Sequence, residues 1–156
     1  WNLYSSMKSE RYDQATALVK GALFTTGGHI SSGTLASTEF LYPNGTTESG
    51  VDLPHYRHGH CMVTLHDGRV MIMSSTNPSS LYKSVIIYDP DKKNFTTGPS
   101  LNYKRSYAGC ALFKSDLHNG RPVVLVAGGG SQITTEVYDY TNANQWQTSK
   151  YTSQYF

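Results

Sequence analysis

The sequence predicts an all-β chain in which one unit of four short strands is repeated three times. Three observations lead there: an arginine that recurs in phase, an apolar strand that closes on a pair of small residues, and a further strand that returns almost unchanged. Arg11, Arg57 and Arg105 lie 46 and 48 residues apart, and each follows an apolar residue, Met7, Leu53 or Leu101, by four positions. Self-similarity at a period near 50 residues marks an architecture whose units bury their faces against one another.

Each unit can be read in order. A first strand opens just after the arginine and runs to a turn at Gly21, Asp67-Gly68 or Asn119-Gly120, the last delayed by a short insertion around Lys114 to His118. Asp-Gly and Asn-Gly are preferred in tight hairpin turns because both central residues need positive φ. The second strand is apolar: 22–26, 70–73 and 123–127. It ends at Gly27-Gly28, Ser74-Ser75 and Gly128-Gly129-Gly130, where glycine supplies backbone angles closed to other residues. A polar loop leads to the third strand, over 37–43, 84–90 and 135–140. The fourth carries an aromatic, Phe95 or Trp146. Trp1 stands in the same phase ahead of Arg11, and Thr47 takes the aromatic's place in the first unit. No helical period competes with this pattern.

The combination of arginine, apolar strand, turn, Gly-Gly, a Glu-x-Tyr-Asp-Pro-like strand and Trp resembles the kelch repeat. The resemblance covers nearly the whole chain and implies a β-propeller segment of three four-stranded antiparallel blades. On that reading residues 1–10 are the outer strand and linker of a preceding blade. Residues 11–53, 54–101 and 102–149 are the three blades, and 150–156 begin the next linker. Propellers close with about 4 to 8 blades, so the chain is expected to be a slice of a larger protein, with apolar end faces awaiting further blades. Its opening on Trp1 rather than Met agrees with that expectation.

Composition narrows the function. Thirteen Lys and Arg against eleven Asp and Glu leave a net charge of +2 with no basic run beyond Lys92-Lys93, so no nucleic acid is expected as partner. The longest apolar run, 123–127, is far short of the roughly 20 residues of a membrane span. Two cysteines do not make a disulfide framework. Cys61 is four residues past its arginine and Cys110 five past its own, a difference in parity that points them to opposite faces of equivalent strands. No bond between them is expected.

The phased arginines are the first candidates for a partner-binding site. In propellers of this kind such residues point to one mouth of the central channel, where a bidentate guanidinium suits the carboxylates of an acidic peptide. The competing reading, weighted above it, makes them framework residues bonded to neighbouring carbonyls. Tyr12, Tyr56, Tyr103 and Tyr107 stand beside them and would add rigid amphipathic contacts. His55, His58 and His60 with Cys61 invite a metal reading, but no fourth ligand follows and no cofactor or metal is assigned. The stretch from Leu65 to Val70 is similar to copper-radical oxidases, which need a tyrosine cross-linked to cysteine, a second tyrosine and two histidines; Cys61, Cys110 and several Tyr are present, yet no Tyr-His pair occurs as neighbours, and His55-Tyr56 is the reverse order.

Two sequons, Asn44-Gly45-Thr46 and Asn94-Phe95-Thr96, fall at the rim between third and fourth strands, which suits glycans. The resulting expectation is a non-catalytic, extracellular protein-interaction platform within a larger kelch propeller, partnered by a protein or by further blades. The alternatives are a copper-radical oxidase domain, a cytoplasmic substrate adaptor of a ubiquitin ligase, and an extracellular scaffold or homo-oligomer joined through blade edges.

Overall fold

A computed structural model describes residues 6–76, 78–142 and 145–149. The strand expected around Trp1 lies outside them. Fourteen strands run in chain order: β1 Ala15–Val19, β2 Ala22–Thr26, β3 His29–Ile30, β4 Gly33–Thr34, β5 Thr38–Leu41, β6 Thr47–Ser49, β7 Cys61–Thr64, β8 Val70–Met73, β9 Val85–Asp89, β10 Asn94–Thr97, β11 Gly109–Ser115, β12 Arg121–Ala127, β13 Thr135–Tyr138 and β14 Gln147–Ser149. They form three antiparallel sheets of four, β1-β2-β5-β6, β7-β8-β9-β10 and β11-β12-β13-β14, with β3 and β4 pairing apart as a small hairpin. Only two single 3₁₀ turns, Ser79–Leu81 and Asp116–His118, interrupt the β structure of the described residues. The second turn holds the insertion seen in the third unit, and Asn119 closes it in the left-handed region at φ 55°.

The sheets stack face to face, and side-chain parity shows how. Ala15, Val19 and Phe24 of the first sheet meet Met62, Val70, Ile72, Ile86 and Tyr88 of the middle one. The opposite face of the middle sheet, Val63, Met71, Met73 and Val85, meets Val124, Val126 and Tyr138 of the third. All four residues of β8 are therefore fully buried, and a strand covered on both sides reads as a continuous apolar run. The outer sheets keep one open face: Leu18 and Leu23 are exposed on the first and Phe113 on the third, with Leu117 exposed in the 3₁₀ turn that follows β11.

Aromatic rings tie the outer strands inward. Phe24 stacks on Phe40 at 4.4 Å and on Tyr88 at 4.9 Å, which in turn lies 4.9 Å from Phe95. In the third sheet Trp146 packs 5.2 Å from Tyr138 and its indole N–H donates to the Pro99 carbonyl in the preceding linker. Thr47, which replaces the aromatic in the first sheet, starts β6 and donates its hydroxyl to the Ser6 carbonyl.

The structure corrects one expectation. Cys61 and Cys110 are joined in a disulfide with Cα atoms 6.1 Å apart. Their opposite parity is what brings them together, because in stacked sheets the face of one that looks forward meets the face of the next that looks back. Cys61 opens β7 on the face turned to the third sheet and Cys110 lies in β11 on the face turned to the middle sheet, both packed against the same core. Parity would separate them only within one sheet.

A bond closing a loop of this span, 49 residues in sequence separation, constrains the unfolded chain by up to about 4 kcal/mol in the loop-entropy treatment. Replacing both cysteines by alanine is expected to lower unfolding free energy by up to that amount, read by denaturant titration. A reductant should shift the parent protein the same way and leave the double variant unmoved.

Candidate functional site

The arginines occupy the same place in each sheet and are buried, with exposures of 8% for Arg11, 0% for Arg57 and 1% for Arg105. Arg11 donates through Nη1 to the Gly27 carbonyl at 2.6 Å and the Ser37 carbonyl at 3.1 Å, and its Nη2 pairs with Glu39. Arg105 repeats the pattern: Nη1 to the carbonyls of Gly128 and Thr134 at 2.6 and 2.8 Å, and Nε to Glu136 at 2.9 Å. Each carboxylate also accepts two backbone N–H groups from the linker ahead of the arginine, Lys8 and Ser9 in one case, Asn102 and Tyr103 in the other. The guanidinium thus clamps the end of the second strand, the start of the third and the incoming linker. This is the framework arrangement. The Nη donors of Arg11 and Arg105 go to carbonyls, hydroxyls and, for Arg11, a carboxylate of their own sheets, and Arg11 Nε is buried without a partner.

Arg57 departs from the pattern. It donates to the Ser74 carbonyl at 3.1 Å and the Ser84 hydroxyl at 3.3 Å, but Ile86 stands where the carboxylates stand in the other sheets and no acid pairs with it among the described residues. Burial without a counter-ion pushes its pKa down to about 10. Its Nε is buried and has no partner, as is that of Arg11, whereas the same atom of Arg105 is satisfied by Glu136.

The exposed chemistry lies just beyond the clamps. Two residues after each arginine the backbone turns left-handed, at Asp13, Gly59 and Tyr107 with φ of 56°, 60° and 56°, and the three are stitched across sheets: Gly59 N–H donates to the Asp13 carbonyl at 2.9 Å and Tyr107 N–H to the Gly59 carbonyl at 2.7 Å. Glycine is required in the middle, since a Cβ there would stand 2.3 Å from Thr76 Oγ1. The Tyr107 hydroxyl donates to Asp13 Oδ2 at 2.9 Å, spanning the first and third sheets. Tyr12, 53% exposed, meets His29 edge-on at 5.2 Å, and His29 lies 5.0 Å from His58 with the Thr34 hydroxyl within hydrogen-bond distance of both Nδ1 atoms.

Of the four candidate tyrosines, Tyr12 and Tyr107 are therefore held on one connected surface. Tyr56 and Tyr103 are exposed but join no ring contact with them, and Tyr103 lies 5.9 Å from the Arg105 guanidinium. The histidine run is dispersed. His58 and His60 precede β7 instead of sharing one of its faces, Cys61 is in the disulfide, and His60 is buried against the Thr26 hydroxyl at 2.8 Å. No group of three metal-ligating side chains occurs among the described residues. Asn44 and Asn94 are both exposed; Asn44 Oδ1 accepts from the backbone and hydroxyl of Thr46. Sequence reasoning missed Asp13 and Gly59, whose signal was only their shared place two residues past an arginine, and His29 and Thr34, which the β3–β4 hairpin of the first unit alone brings together.

No family model matches the chain. It is similar to the Kelch repeat-containing protein kel-10 of Caenorhabditis elegans, with 26% identity over 133 residues. The likeness supports the kelch-repeat family. The match covers 80% of this chain and spans only 22% of the length of that relative.

The clamps and the buried histidine give two tests. Arg105→Met leaves the Glu136 carboxylate buried without its cation and is expected to cost about 3–5 kcal/mol. Arg57→Met removes a buried cation that has no counter-ion, so loss of its two hydrogen bonds is offset by relief of desolvation and the change stays within about 1.5 kcal/mol. Denaturant midpoints of the two variants decide it, and equal costs would refute the distinction. For His60, burial first, then the charges of Arg57 and His58, hold the pKa at about 3. The unfolded imidazole titrates near 6.5, so between these values the unfolded state binds the extra proton and stability falls as pH falls. The slope reaches about 1.4 kcal/mol per pH unit, and His60→Gln should flatten it in denaturant titrations run from about pH 7 to about pH 5.

Proposed function

We propose that the chain contributes three consecutive kelch-type blades, 11–53, 54–101 and 102–149, to a larger β-propeller and serves as a non-catalytic protein-interaction platform. The observation that carries this reading is the pair of exposed tyrosines, Tyr12 and Tyr107, set on the Asp13–Gly59–Tyr107 backbone ladder and tied through Asp13. A rigid aromatic surface with a polar tip binds protein at little cost in side-chain entropy. The likeness to a kelch-repeat protein favours the same class, and the open faces at Leu18 and Phe113 are where further blades of the parent protein would stack.

Extracellular residence is part of the proposal. The Cys61–Cys110 disulfide favours an oxidising compartment, and the sequon residues Asn44, in the turn before β6, and Asn94, at the start of β10, are both exposed. Among the described residues no helix is long and apolar enough to cross a membrane.

The test uses the full protein from its native source. Affinity capture followed by mass spectrometry is expected to recover a protein partner that binds the Tyr12→Ala/Tyr107→Ala variant at least tenfold more weakly, while unfolding free energy moves by less than about 1 kcal/mol. Equal binding by the variant would remove the tyrosine surface from the function. Glycosidase treatment should lower the mass at Asn44 and Asn94; an unchanged mass with free thiols at Cys61 and Cys110 would replace the extracellular reading by the cytoplasmic one.

A further inference from the structure

We infer that the middle sheet carries a carboxylate-binding pocket beside Arg57, formed because this one sheet lacks every internal group that fills the equivalent space in its neighbours. In the first sheet that space is closed by Glu39, by the backbone N–H of Lys8 and by the Lys8 ammonium, which donates to Ser49 on the outer strand at 3.1 Å. In the third it is closed by Glu136, the Asn102 N–H and the Asn102 amide, which donates to the Trp146 carbonyl at 2.8 Å. The middle sheet has Ile86 for the glutamate and Pro54 for Lys8 and Asn102. Proline removes the N–H and the reaching side chain together, and what remains is a cavity of about 440 Å³ between the linker and the outer strands.

Its lining is suited to an anion. Ser84, Pro54, His55, Ile86, Lys83 and Thr97 border it and no acidic residue does. The Ser84 hydroxyl at its wall is the group that accepts from Arg57 Nη2, so the one guanidinium without a counter-ion lies a single hydrogen bond behind the cavity. The side chain of Arg57 is fully buried, and although the Nε of Arg11 is unpartnered like its own, Arg11 and Arg105 each hold a carboxylate and Arg57 holds none among the described residues. His55 occupies the position from which Ser9 and Tyr103 donate their N–H groups to a carboxylate in the sister sheets, and its own N–H has no partner among the described residues. A carboxylate entering the cavity would meet the Ser84 hydroxyl and the His55 N–H, with Lys83 at the rim and the charge of Arg57 beneath. It would restore from outside the ion pair that the first and third sheets hold internally. This pocket is separate from the tyrosine surface and does not depend on it.

The test follows the Arg57 Nε–H resonance in full-length protein labelled with ¹⁵N-arginine, assigned by its loss in Arg57→Met. The probes are the peptide Ac-Gly-Ser-Glu-Ser-Gly-NH₂, its Gln counterpart, and sodium acetate. The glutamate peptide is expected to shift the resonance saturably and to bind about tenfold more tightly than the Gln peptide, the worth of one charge-assisted hydrogen bond. Acetate acting as well as the glutamate peptide would assign the site to free carboxylates, and a response to the peptide alone would assign it to an acidic segment of a polypeptide; either supports the pocket. Ile86→Glu places a carboxylate inside and should both move the resonance without ligand and abolish the response. An unmoved Arg57 signal with every probe, or a glutamate peptide that binds Ile86→Glu as well as the parent, overturns the proposal.

Discussion

The buried guanidinium is the constraint on which the other features depend. In each sheet it holds the end of the second strand and the start of the third, and in two sheets it also holds the linker through a glutamate. A charged group of this kind is costly to bury unless its charge is met by hydrogen-bond acceptors, so the backbone carbonyls converge on its Nη groups. That convergence demands a left-handed residue at the close of the second strand. Gly27 and Gly128 provide it without strain at φ 55° and 63°, while Ser74 adopts φ 64° in the middle sheet with a buried, unpartnered hydroxyl. The middle sheet therefore departs at several linked positions, Ser74, Ile86 and Pro54, all surrounding one arginine.

Stacking is the second level of organisation, and it runs head to tail. The forward face of one sheet meets the backward face of the next, so every interface uses two different surfaces. Such an arrangement leaves one surface of each kind open at the ends, which accounts for the exposure of Leu18 and Phe113 beside a middle strand, β8, that has none. The disulfide crosses the same forward-to-backward interface, covalently fastening two units that are also tied by core packing, by the Gly59–Tyr107 rung of the backbone ladder and by hydrogen bonds from Trp146 to Pro99 and between His66 and Tyr140.

Much of the fold could be read from residues alone because the repeat places local turn chemistry and strand parity at fixed distances. The second strands, 22–26 and 70–73, coincide with β2 and β8, since Gly21 and Asp67-Gly68 mark their starts and small residues their ends. The site was less legible. The phased arginines stood out as positions, but whether they face a partner or the interior depends on where Glu39 and Glu136 lie, 28 and 31 residues further along the chain. The histidines suggested a cluster by being neighbours in sequence; in space one is buried on Thr26, one joins His29 through Thr34, and one borders the pocket beside Pro54.

The sequence by itself determined the strand order, the three-fold repetition and the alternation of faces, because these follow from hydrogen-bonding and turn preferences acting within about ten residues. Only the tertiary structure decided what each face meets. Cys61 and Cys110, placed apart by parity within one strand pattern, are brought together because adjacent sheets present opposite faces to each other. Ile86 and Pro54, unremarkable as single residues, become significant only when the middle sheet is laid beside its neighbours and Arg57 is found without the carboxylate that both of them have. Pairing between units acts at sequence separations of tens of residues, where no local preference operates and geometry alone assigns the partner.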